Sequence, residues 1–530
     1  MKGRTADFVI VGGGSAGCVL AARLSEDPGV EVVLVEAGGA GDTDDIRIPG
    51  LARNLFLSEY DWAYFSEPEK ALKGRRVYQP RGRVLGGSSA INMMVYMRGS
   101  AADYDEWAAL GNRGWNYASV LPYFKRSEDN ERGASRFHGA GGPLGVSDSR
   151  SRNPLAASFV EAAIEHGLPA NDDFNGERQE GAGFFQLTQR DGERSTARTA
   201  FLAPAARRAN LHVLTNTRAL RVVLKNGRAT GVEVSTAEGT NFISAAREVI
   251  VAAGAFNSPQ LLMLSGVGPA AHLRRHGITA ELDLPNVGAN LHDHPGVLLS
   301  WETHEPVGLW NVVSDANRDQ YDRERRGPLT TNYVEVGGFT RVAGSQEAEI
   351  EFMVMPGITY VDKTRRAQAP GLTMFPTLLK PRSRGCVGLQ SADPFAAPRI
   401  ELDYYSEPAD LETMLEGVSI AIDIVRQPSL SRHVSRAHEA PSTSDRKALM
   451  EHVIANTQTI YHGAGTCAMG DVVDTELHVR GVDGLRVVDA SVMPTPLRGN
   501  TNAPVMMIAE RAADLILGRP VPSKSATVTA

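Results

Sequence analysis

The chain has 530 residues, of which 42% are hydrophobic and 22% charged, and its formal net charge is −7. This length suggests about two domains or one elaborated domain. The mild charge gives no reason to expect nucleic acid or an anionic membrane as a partner. No apolar run reaches the ~18 residues of a membrane-spanning helix, and the N-terminus lacks the pattern of a signal peptide. Three cysteines without paired spacing fit a reducing compartment, so we expect a cytoplasmic protein without disulfides.

The chain opens with a glycine-rich turn between two predicted strands. Residues 7–11 have the pattern of a buried strand and are followed by Gly-Gly-Gly-Ser-Ala-Gly at 12–17, where a helix begins. The first glycine permits the tight turn, the third lets backbone N–H groups approach a pyrophosphate, and the last lets helix and strand pack closely. The N-terminus of a helix also attracts an anion.

A second predicted strand, 31–35, ends in Glu36. This carboxylate lies 24 residues after Gly12, where it can accept hydrogen bonds from a ribose diol. The strands and the turn therefore predict a dinucleotide site. By itself such a turn fits NAD, FAD or a non-redox nucleotide equally well. The contacts predicted from this unit are Gly12, Gly14, Ser15, Ala16, Gly17, Glu36 and Ala37.

The rest of the chain alternates between helical and strand patterns. Residues 40–80 lose this periodicity, as an excursion that covers a cofactor would, and residues 130–153 predict a surface loop. The predicted helices are 103–110, 120–126, 258–265 and 410–425. The predicted strands are 211–214, 220–225, 231–235, 248–253, 350–355 and 386–390, with a turn at Asn226-Gly227.

Four further runs are more specific than the glycine-rich turn. They are Gly82–Asn92, Gly254–Gly268, Val287–His294 and the stretch from Tyr461 to Pro504. Together with the opening turn they resemble the glucose–methanol–choline (GMC) oxidoreductases, in the branch similar to choline dehydrogenase and alcohol oxidase. The resemblance covers nearly the whole chain and is thinnest across 300–380.

The resemblance implies FAD as the cofactor. Residues 82–92 combine glycines with two serines in a loop that can lie flat against an aromatic ring. Relatives with a covalent flavin have a histidine where this chain has Ile91, so we expect the FAD to be non-covalent. The further cofactor contacts that the resemblance implies are Val84, Gly87, Asn92, Val95, Ala219, Asp489, Ala490, Asn500 and Thr501.

The resemblance also implies two catalytic residues. His462 stands at the position of the family's active-site histidine, and Asn500 stands at the position of its His or Asn partner. A neutral imidazole can accept a hydroxyl proton at physiological pH. An amide can hydrogen-bond the oxygen as it becomes an alkoxide. The chain departs from many relatives at Arg498, where they often have a small residue.

The expected fold is α/β, and α+β overall. A Rossmann-type FAD-binding domain is predicted from the discontinuous segments 1–153, 195–300 and 456–520. An inserted substrate domain, built on an antiparallel sheet, is predicted from 154–194 and 301–455, and residues 521–530 predict a disordered tail.

Other reactive side chains are expected to be structural. His292 and His294 lie at alternate positions, but no third ligand cluster is evident, so no metal is expected. Cys467, five residues after His462, is expected to be a packing residue rather than a nucleophile. His138 lies in a run that looks like a family turn.

The leading hypothesis is oxidation of a primary alcohol to an aldehyde by hydride transfer to flavin N5, with dioxygen or a quinone-type acceptor reoxidising the flavin. An alternative is an FAD-containing lyase of the same fold, similar to hydroxynitrile lyases, that uses His462 for acid–base chemistry. A photodecarboxylase, a non-enzymatic flavin protein and an NAD-dependent dehydrogenase are weaker alternatives. The identity of the alcohol stays open.

Overall fold

The computed structural model describes residues 5–342, 344–362, 364–365, 367–441 and 445–522. The predicted disordered tail lies outside these residues, except for its first two. The α-helices are Ser15–Leu24, Asp44–Arg47, Ala101–Ala109, Tyr117–Ser127, Pro154–His166, Ala203–Ala205, Gly254–Leu264, Ala270–Arg275, Asp315–Glu324, Pro408–Val425, Pro428–Ser431, Arg446–Asn456 and Asn502–Leu517. Shorter 3-10 segments are Pro49–Leu55, Gly87–Ala90, Pro328–Thr330 and Ala490–Val492, and Arg198–Leu202 is a π-helical turn.

The first large sheet contains the strands predicted around the glycine-rich turn. Its spatial order is Leu211–Leu214, Val32–Val35, Thr5–Val11, Gly239–Val251, Arg228–Thr236 and Arg218–Lys225, with Leu485–Val487 paired to the end of Gly239–Val251. The first four strands and Leu485–Val487 pair in parallel, whereas the other pairings are antiparallel. Strands buried on both faces need continuous apolar runs, such as the VVLV of Val32–Val35. This arrangement confirms the predicted α/β class.

The glycine-rich turn makes the link between the first strand and the first helix. Gly12 has φ +104°, and a Cβ there would lie 2.4 Å from the carbonyl oxygen of Ala252. A Cβ at Gly17 would lie 1.8 Å from the carbonyl oxygen of Gly12. Only glycine therefore fits at these two positions, and helix Ser15–Leu24 packs directly on the sheet.

The second large sheet is antiparallel, as predicted for the middle of the chain. Its spatial order is Val434–Glu439, Leu299–Thr303, Gly371–Leu378, Ile350–Met355, Val336–Thr340 and Gly181–Phe184, with Pro295–Val297 paired to Gly371–Leu378 and Thr457–Thr459 paired to Pro295–Val297. Helix Pro408–Val425 lies against one face, where a Cβ at Gly417 would be 2.8 Å from Cδ1 of Ile350. The opposite face carries Met353, Met355 and Phe375.

The structure corrects several predicted element bounds. Residues 130–153 are not only a loop, because Leu144–Asp148 is a strand that pairs with Glu128–Asn130 and Gln186–Leu187. The predicted strand 248–253 is the end of the longer Gly239–Val251, and the predicted helix 258–265 begins at Gly254. The strand predicted at 386–390 pairs only with Arg399–Glu401.

The predicted division into two domains stays a prediction. The strand pairings add that Pro295–Val297 and Thr457–Thr459, both close to predicted boundaries, hydrogen-bond within the second sheet. Within the described ranges, no helix is long and apolar enough to cross a bilayer.

Candidate active site

A cavity of about 590 Å³ lies at the carboxyl ends of the parallel strands and reaches the second sheet. In open α/β sheets this edge is where ligands bind. Most of the residues predicted from the sequence to bind a cofactor or to act in catalysis line it: Gly12, Gly14, Ser15, Ala16, Glu36, Ala37, Gly87, Asn92, Val95, Ala219, His462, Asp489, Ala490, Asn500 and Thr501. Their contacts with a cofactor stay predictions.

Two predicted cofactor contacts do not line this cavity. Gly17 lies behind it, where it allows the helix to approach Gly12. Val84 is fully buried, and its side chain packs close to Gly41, whose added Cβ would lie 2.4 Å from Cγ2 of the valine. Both residues therefore pack behind the cavity lining, and their contacts with a cofactor stay predictions.

Two backbone segments form a narrow cradle at the start of the first helix. Gly86 donates its N–H to the carbonyl of Gly13 at 2.8 Å. A Cβ at Gly87, which has φ +52°, would lie 2.6 Å from Cα of Gly14. The first turn of helix Ser15–Leu24 carries no acidic residue. Backbone N–H groups at such a helix N-terminus suit a pyrophosphate.

Two carboxylates mark the ends of sheet strands at this cavity. Glu36 accepts the N–H groups of Gly13 and Gly38, each at 2.7 Å, one on each carboxylate oxygen. Burial raises the pKa of Glu36 to about 7. Each oxygen keeps a lone pair that can accept a hydroxyl hydrogen. Asp489 accepts the N–H of Gly254 at 2.9 Å and the hydroxyl of Ser258 at 2.5 Å.

His462 is buried between two partners. Its Nδ1 lies 2.9 Å from Nδ1 of His294, and its Nε2 lies 3.2 Å from Nδ2 of Asn500. The planes of the two imidazole rings are nearly perpendicular, at 88°. The amide oxygen of Asn500 is buried and has no hydrogen-bond partner among the described residues. The structure thus brings the predicted pair His462 and Asn500 together and adds His294.

The carboxylate of Asp293 holds this group in place. One oxygen accepts the backbone N–H groups of His294 at 2.9 Å and His462 at 2.8 Å. The other accepts the hydroxyls of Tyr404 at 2.6 Å and Thr459 at 2.5 Å. Asp293 is 4% exposed, so these four bonds satisfy a carboxylate that water does not reach.

The opposing segments explain why the two histidines meet. His292 and Ala464 exchange backbone hydrogen bonds of 3.1 and 2.9 Å in an antiparallel bridge. In that register His294 faces His462, 168 residues later in the chain. Sequence analysis missed Asp293 and His294 as site residues, although the His-Asp-His run was the visible signal.

The hydrogen bonds assign the tautomer of His462. Burial lowers the pKa of His294 to about 4, so its ring is neutral at pH 7. Nδ2 of Asn500 only donates, so Nε2 of His462 accepts its N–H at 3.2 Å. The neutral His462 ring therefore carries its proton on Nδ1 and donates it to Nδ1 of the neutral His294, which lies 2.9 Å away.

Burial lowers the pKa of His462 well below its ordinary value, and His294 and Arg81 lower it further. Arg81 also lines the cavity, and its guanidinium carbon lies 4.4 Å from the centre of the Phe256 ring. One of its terminal nitrogens donates to the carbonyl of Tyr461 at 3.1 Å, and the other is buried with no partner among the described residues. A neutral imidazole beside a fixed cation is suited to accept a proton and to tolerate an anionic oxygen nearby.

Comparisons with known proteins identify the family. The N-terminal part of the GMC oxidoreductases matches residues 6–296, and their C-terminal part matches residues 381–509. The chain is a GMC oxidoreductase. An alcohol dehydrogenase (acceptor) of Pseudomonas putida is 41% identical over 528 residues, which cover 96% of this chain and 95% of that protein. An oxygen-dependent choline dehydrogenase of Sinorhizobium medicae is also 41% identical, with 97% of this chain and 96% of that protein covered.

Solved structures agree with this assignment. The pyridoxine 4-oxidase of Mesorbium loti superimposes with a TM-score of 0.89 and 32% identity, covering 97% of this GMC chain and all of that one. A variant of the Aspergillus oryzae RIB40 formate oxidase, described for its FAD modification, has a TM-score of 0.92 and 30% identity over 98% and 99% of the two chains. GMC oxidoreductases are FAD-dependent enzymes that act on CH–OH donors, and this chain is one of them.

The remaining candidate residues of this GMC oxidoreductase lie elsewhere. Arg498 is not in the cavity lining; it pairs with Asp103 at 2.5 Å and donates to the carbonyl of Ala348 at 3.0 Å. Cys467 is fully buried, and burial raises the pKa of its thiol well above the ordinary value. His138 bonds to Glu128 at 2.8 Å. Within the described residues, no group of three or more His, Cys, Asp or Glu side chains is placed to hold a metal ion.

Proposed function

We propose that this enzyme oxidises a primary alcohol to an aldehyde, with His462 as the base that takes the hydroxyl proton. The observation that carries the proposal is the unprotonated Nε2 of His462 on the wall of the cavity, which lies 3.2 Å from the amide nitrogen of Asn500. A base and a hydrogen-bond donor side by side are what an alcohol oxygen needs as it loses its proton.

The cavity fits FAD on the evidence of its own groups. The Gly14–Gly87 cradle leaves no room for side chains, and Glu36 keeps lone pairs for hydroxyls at the end of its strand. These residues would hold the pyrophosphate and ribose. When bound, FAD supplies the chemistry that accepts the carbinol hydrogen as hydride with its two electrons. Ile91 lines the same cavity and offers no atom for a covalent bond, so we propose that FAD is non-covalent.

The proton follows a separate route through the protein. The hydroxyl hydrogen of the alcohol passes to Nε2 of His462, while the amide N–H of Asn500 donates to the alcohol oxygen. The imidazolium that results keeps its Nδ1–H bonded to His294, which fixes the ring in this orientation. Asp293 holds both histidine backbones, so neither ring needs to reorganise during the step.

Anaerobic mixing with alcohols tests this function. Loss of the oxidised-flavin absorbance on adding an alcohol is the expected result, and formation of aldehyde should match it one to one. A lyase would release its carbonyl product with no loss of that absorbance, and such a result would reject the proposal. Subsequent addition of dioxygen or of a quinone to the reduced enzyme identifies the acceptor; the names of the two relatives give an unspecified acceptor for one and oxygen for the other.

Acid or heat denaturation is expected to release all of the FAD into the supernatant, because Ile91 replaces the residue that anchors a covalent flavin. The measurement is the ratio of free to protein-bound yellow colour after precipitation with trichloroacetic acid. Mass spectrometry of the denatured chain is the control and should give the mass of the polypeptide alone. Flavin that stays with the precipitate would contradict the proposed non-covalent binding.

Replacing His294 with Phe is expected to slow flavin reduction by about tenfold or more, because the Nδ1–H of His462 then loses its acceptor and the other tautomer becomes accessible. In the native enzyme the lowered pKa of His462 keeps the imidazole neutral until the solution is acidic. Its reduction rate should therefore stay constant as pH falls from 8 through 6.5. Because His294 helps to lower the pKa of His462, the midpoint at which the rate falls in acid should move to higher pH in His294→Phe.

His452→Gln serves as the control for this variant, since His452 bonds to the carbonyl of Leu298 and lies outside the cavity. Its rate and pH profile should match those of the native enzyme. If His294→Phe retains both the native rate and the native profile, His294 does not position His462.

A further inference from the structure

We infer that the alcohol is an uncharged, apolar primary alcohol rather than a quaternary ammonium alcohol or a sugar. This inference rests on the proposed function and specifies its substrate class. It comes from the part of the cavity wall that the second sheet and its neighbours supply, here called the apolar wall: Met93, Tyr333, Met353, Met355, Phe375 and Ile460.

The apolar wall adjoins the proposed base and is bordered in the cavity lining by the polar residues Thr359, Gln458 and Thr459. All six residues belong to one cluster of packed apolar side chains, five of them less than 10% exposed. Met353 and Phe375 face each other as cross-strand partners. Ile460 precedes His462 by two residues, and its N–H donates to the carbonyl of His294 at 3.1 Å. A hydroxyl placed at His462 would therefore direct the rest of the alcohol along methionine, aromatic and aliphatic groups.

The charges around the cavity oppose a cationic substrate. Among the described lining residues, the carboxylates are Glu36 and Asp489, and both are held by backbone N–H groups at the ends of first-sheet strands. The second sheet contributes no carboxylate to the described lining, whereas Arg53 and Arg81 bring positive charge. A trimethylammonium group would thus lose hydration without gaining an anion.

The apolar wall also disfavours a polyol. The hydroxyl of Tyr333 is already used, because it donates to the carbonyl of Gly50 at 2.6 Å. The methionines and phenylalanine offer a sugar hydroxyl no strong donor or acceptor. Methionine side chains do fit apolar chains of different shapes, because they are flexible and polarizable. The apolar wall therefore favours aliphatic or aryl alcohols over sugars and other polyols.

The first test is an anaerobic series of 1-propanol, 1-butanol, 1-pentanol and 1-hexanol, with benzyl alcohol, choline and glucose for comparison. Dissociation constants from the flavin absorbance change and reduction rate constants are measured for each. We expect the dissociation constant to fall about fourfold per added methylene until the wall is covered. Choline and glucose should be at least about 100-fold less efficient than 1-hexanol.

Met353→Gln is the second test, because it puts an amide into the apolar wall at nearly the same volume. The efficiency for 1-hexanol should fall about 10-fold or more, within the range for the loss of a hydrophobic contact in a pocket. The matched control is Met450→Gln, since Met450 lies on helix Arg446–Asn456 outside the cavity lining. The control should behave like the native enzyme.

The outcomes separate the inference from the function on which it rests. Flavin reduction by choline or glucose with an efficiency equal to that of 1-hexanol would overturn the inference and leave the proposed function standing. A dissociation constant independent of chain length, or a native response in Met353→Gln, would also overturn it. If no alcohol reduces the flavin while dithionite does, the proposed function fails and the inference fails with it.

Discussion

His462→Ala is expected to bind FAD and to fold, yet to reduce its flavin with alcohol about 10²–10⁴ times more slowly, the usual effect of losing a general base. The substitution should impair the reaction but not the local fold, because the backbone N–H of residue 462 still donates to Asp293 in the variant. Stopped-flow absorbance under anaerobic conditions measures the reduction rate constant. The fold is checked by the FAD content and the midpoint of thermal unfolding.

The rate of His462→Ala should also recover in part as pH rises. Hydroxide can remove the hydroxyl proton when the imidazole is absent, so the rate should increase with pH where that of the native enzyme is flat. His452→Gln again provides a histidine control outside the cavity. A native reduction rate in His462→Ala would remove this residue from the mechanism.

Asn500→Ala is expected to lower the reduction rate constant by about 10²–10³-fold, the cost of losing one donor to a developing oxyanion. Substrate affinity should change much less, because the charge on the alcohol oxygen exists mainly in the transition state. Stopped-flow measurements over a range of alcohol concentrations separate the two quantities. The buried amide oxygen of Asn500 has no protein partner in the described chain, so its removal breaks no bond to the protein. Loss of the amide nitrogen removes the donor that lies 3.2 Å from Nε2 of His462, and Nε2 stays available to the alcohol hydroxyl.

Asn500→His distinguishes a donor role from a merely steric one. An imidazole at this position can donate to the same alcohol oxygen, so this variant should keep substantially more activity than Asn500→Ala. The partner nitrogen of His462 lies 3.2 Å from the native amide, a distance that a ring nitrogen can also span. If Asn500→Ala raises only the dissociation constant, Asn500 is a binding contact and His462 acts without it.

The parts of the fold that short-range patterns encode were predictable. The family and the α/β class are confirmed. They were predictable because the strand before Gly12 and the glycine-rich turn form a short sequence pattern that specifies a strand–turn–helix unit. Strand Leu144–Asp148 was missed because only Leu144 and Val146 provide apolar alternation within a run rich in Gly and Ser. The antiparallel half of Gly239–Val251 was missed because its first residues are polar and exposed.

The site was predictable only in the parts that motifs carry. His462 and Asn500 were named from their motifs, and the structure places them in contact. The bond between His294 and His462 joins residues 168 positions apart, so no window of sequence contains it. The same holds for the unpaired guanidinium nitrogen of Arg81, which depends on the fold of its surroundings. Long-range pairing of buried polar groups is set by tertiary structure rather than by local preference.

The strand order of the first sheet has a consequence for synthesis on the ribosome. Thr5–Val11 is synthesised well before Gly239–Val251, the strand with which it pairs. Gly239–Val251 in turn pairs with Leu485–Val487, which is synthesised later still. At about 5–20 residues per second, translation needs roughly 12–50 s to pass from residue 251 to residue 500. A nascent chain in that interval has the dinucleotide turn but lacks the catalytic pair. The active, FAD-loaded enzyme can therefore form only after residue 500 has emerged from the ribosome. Truncation before that point leaves a polypeptide without a complete active site.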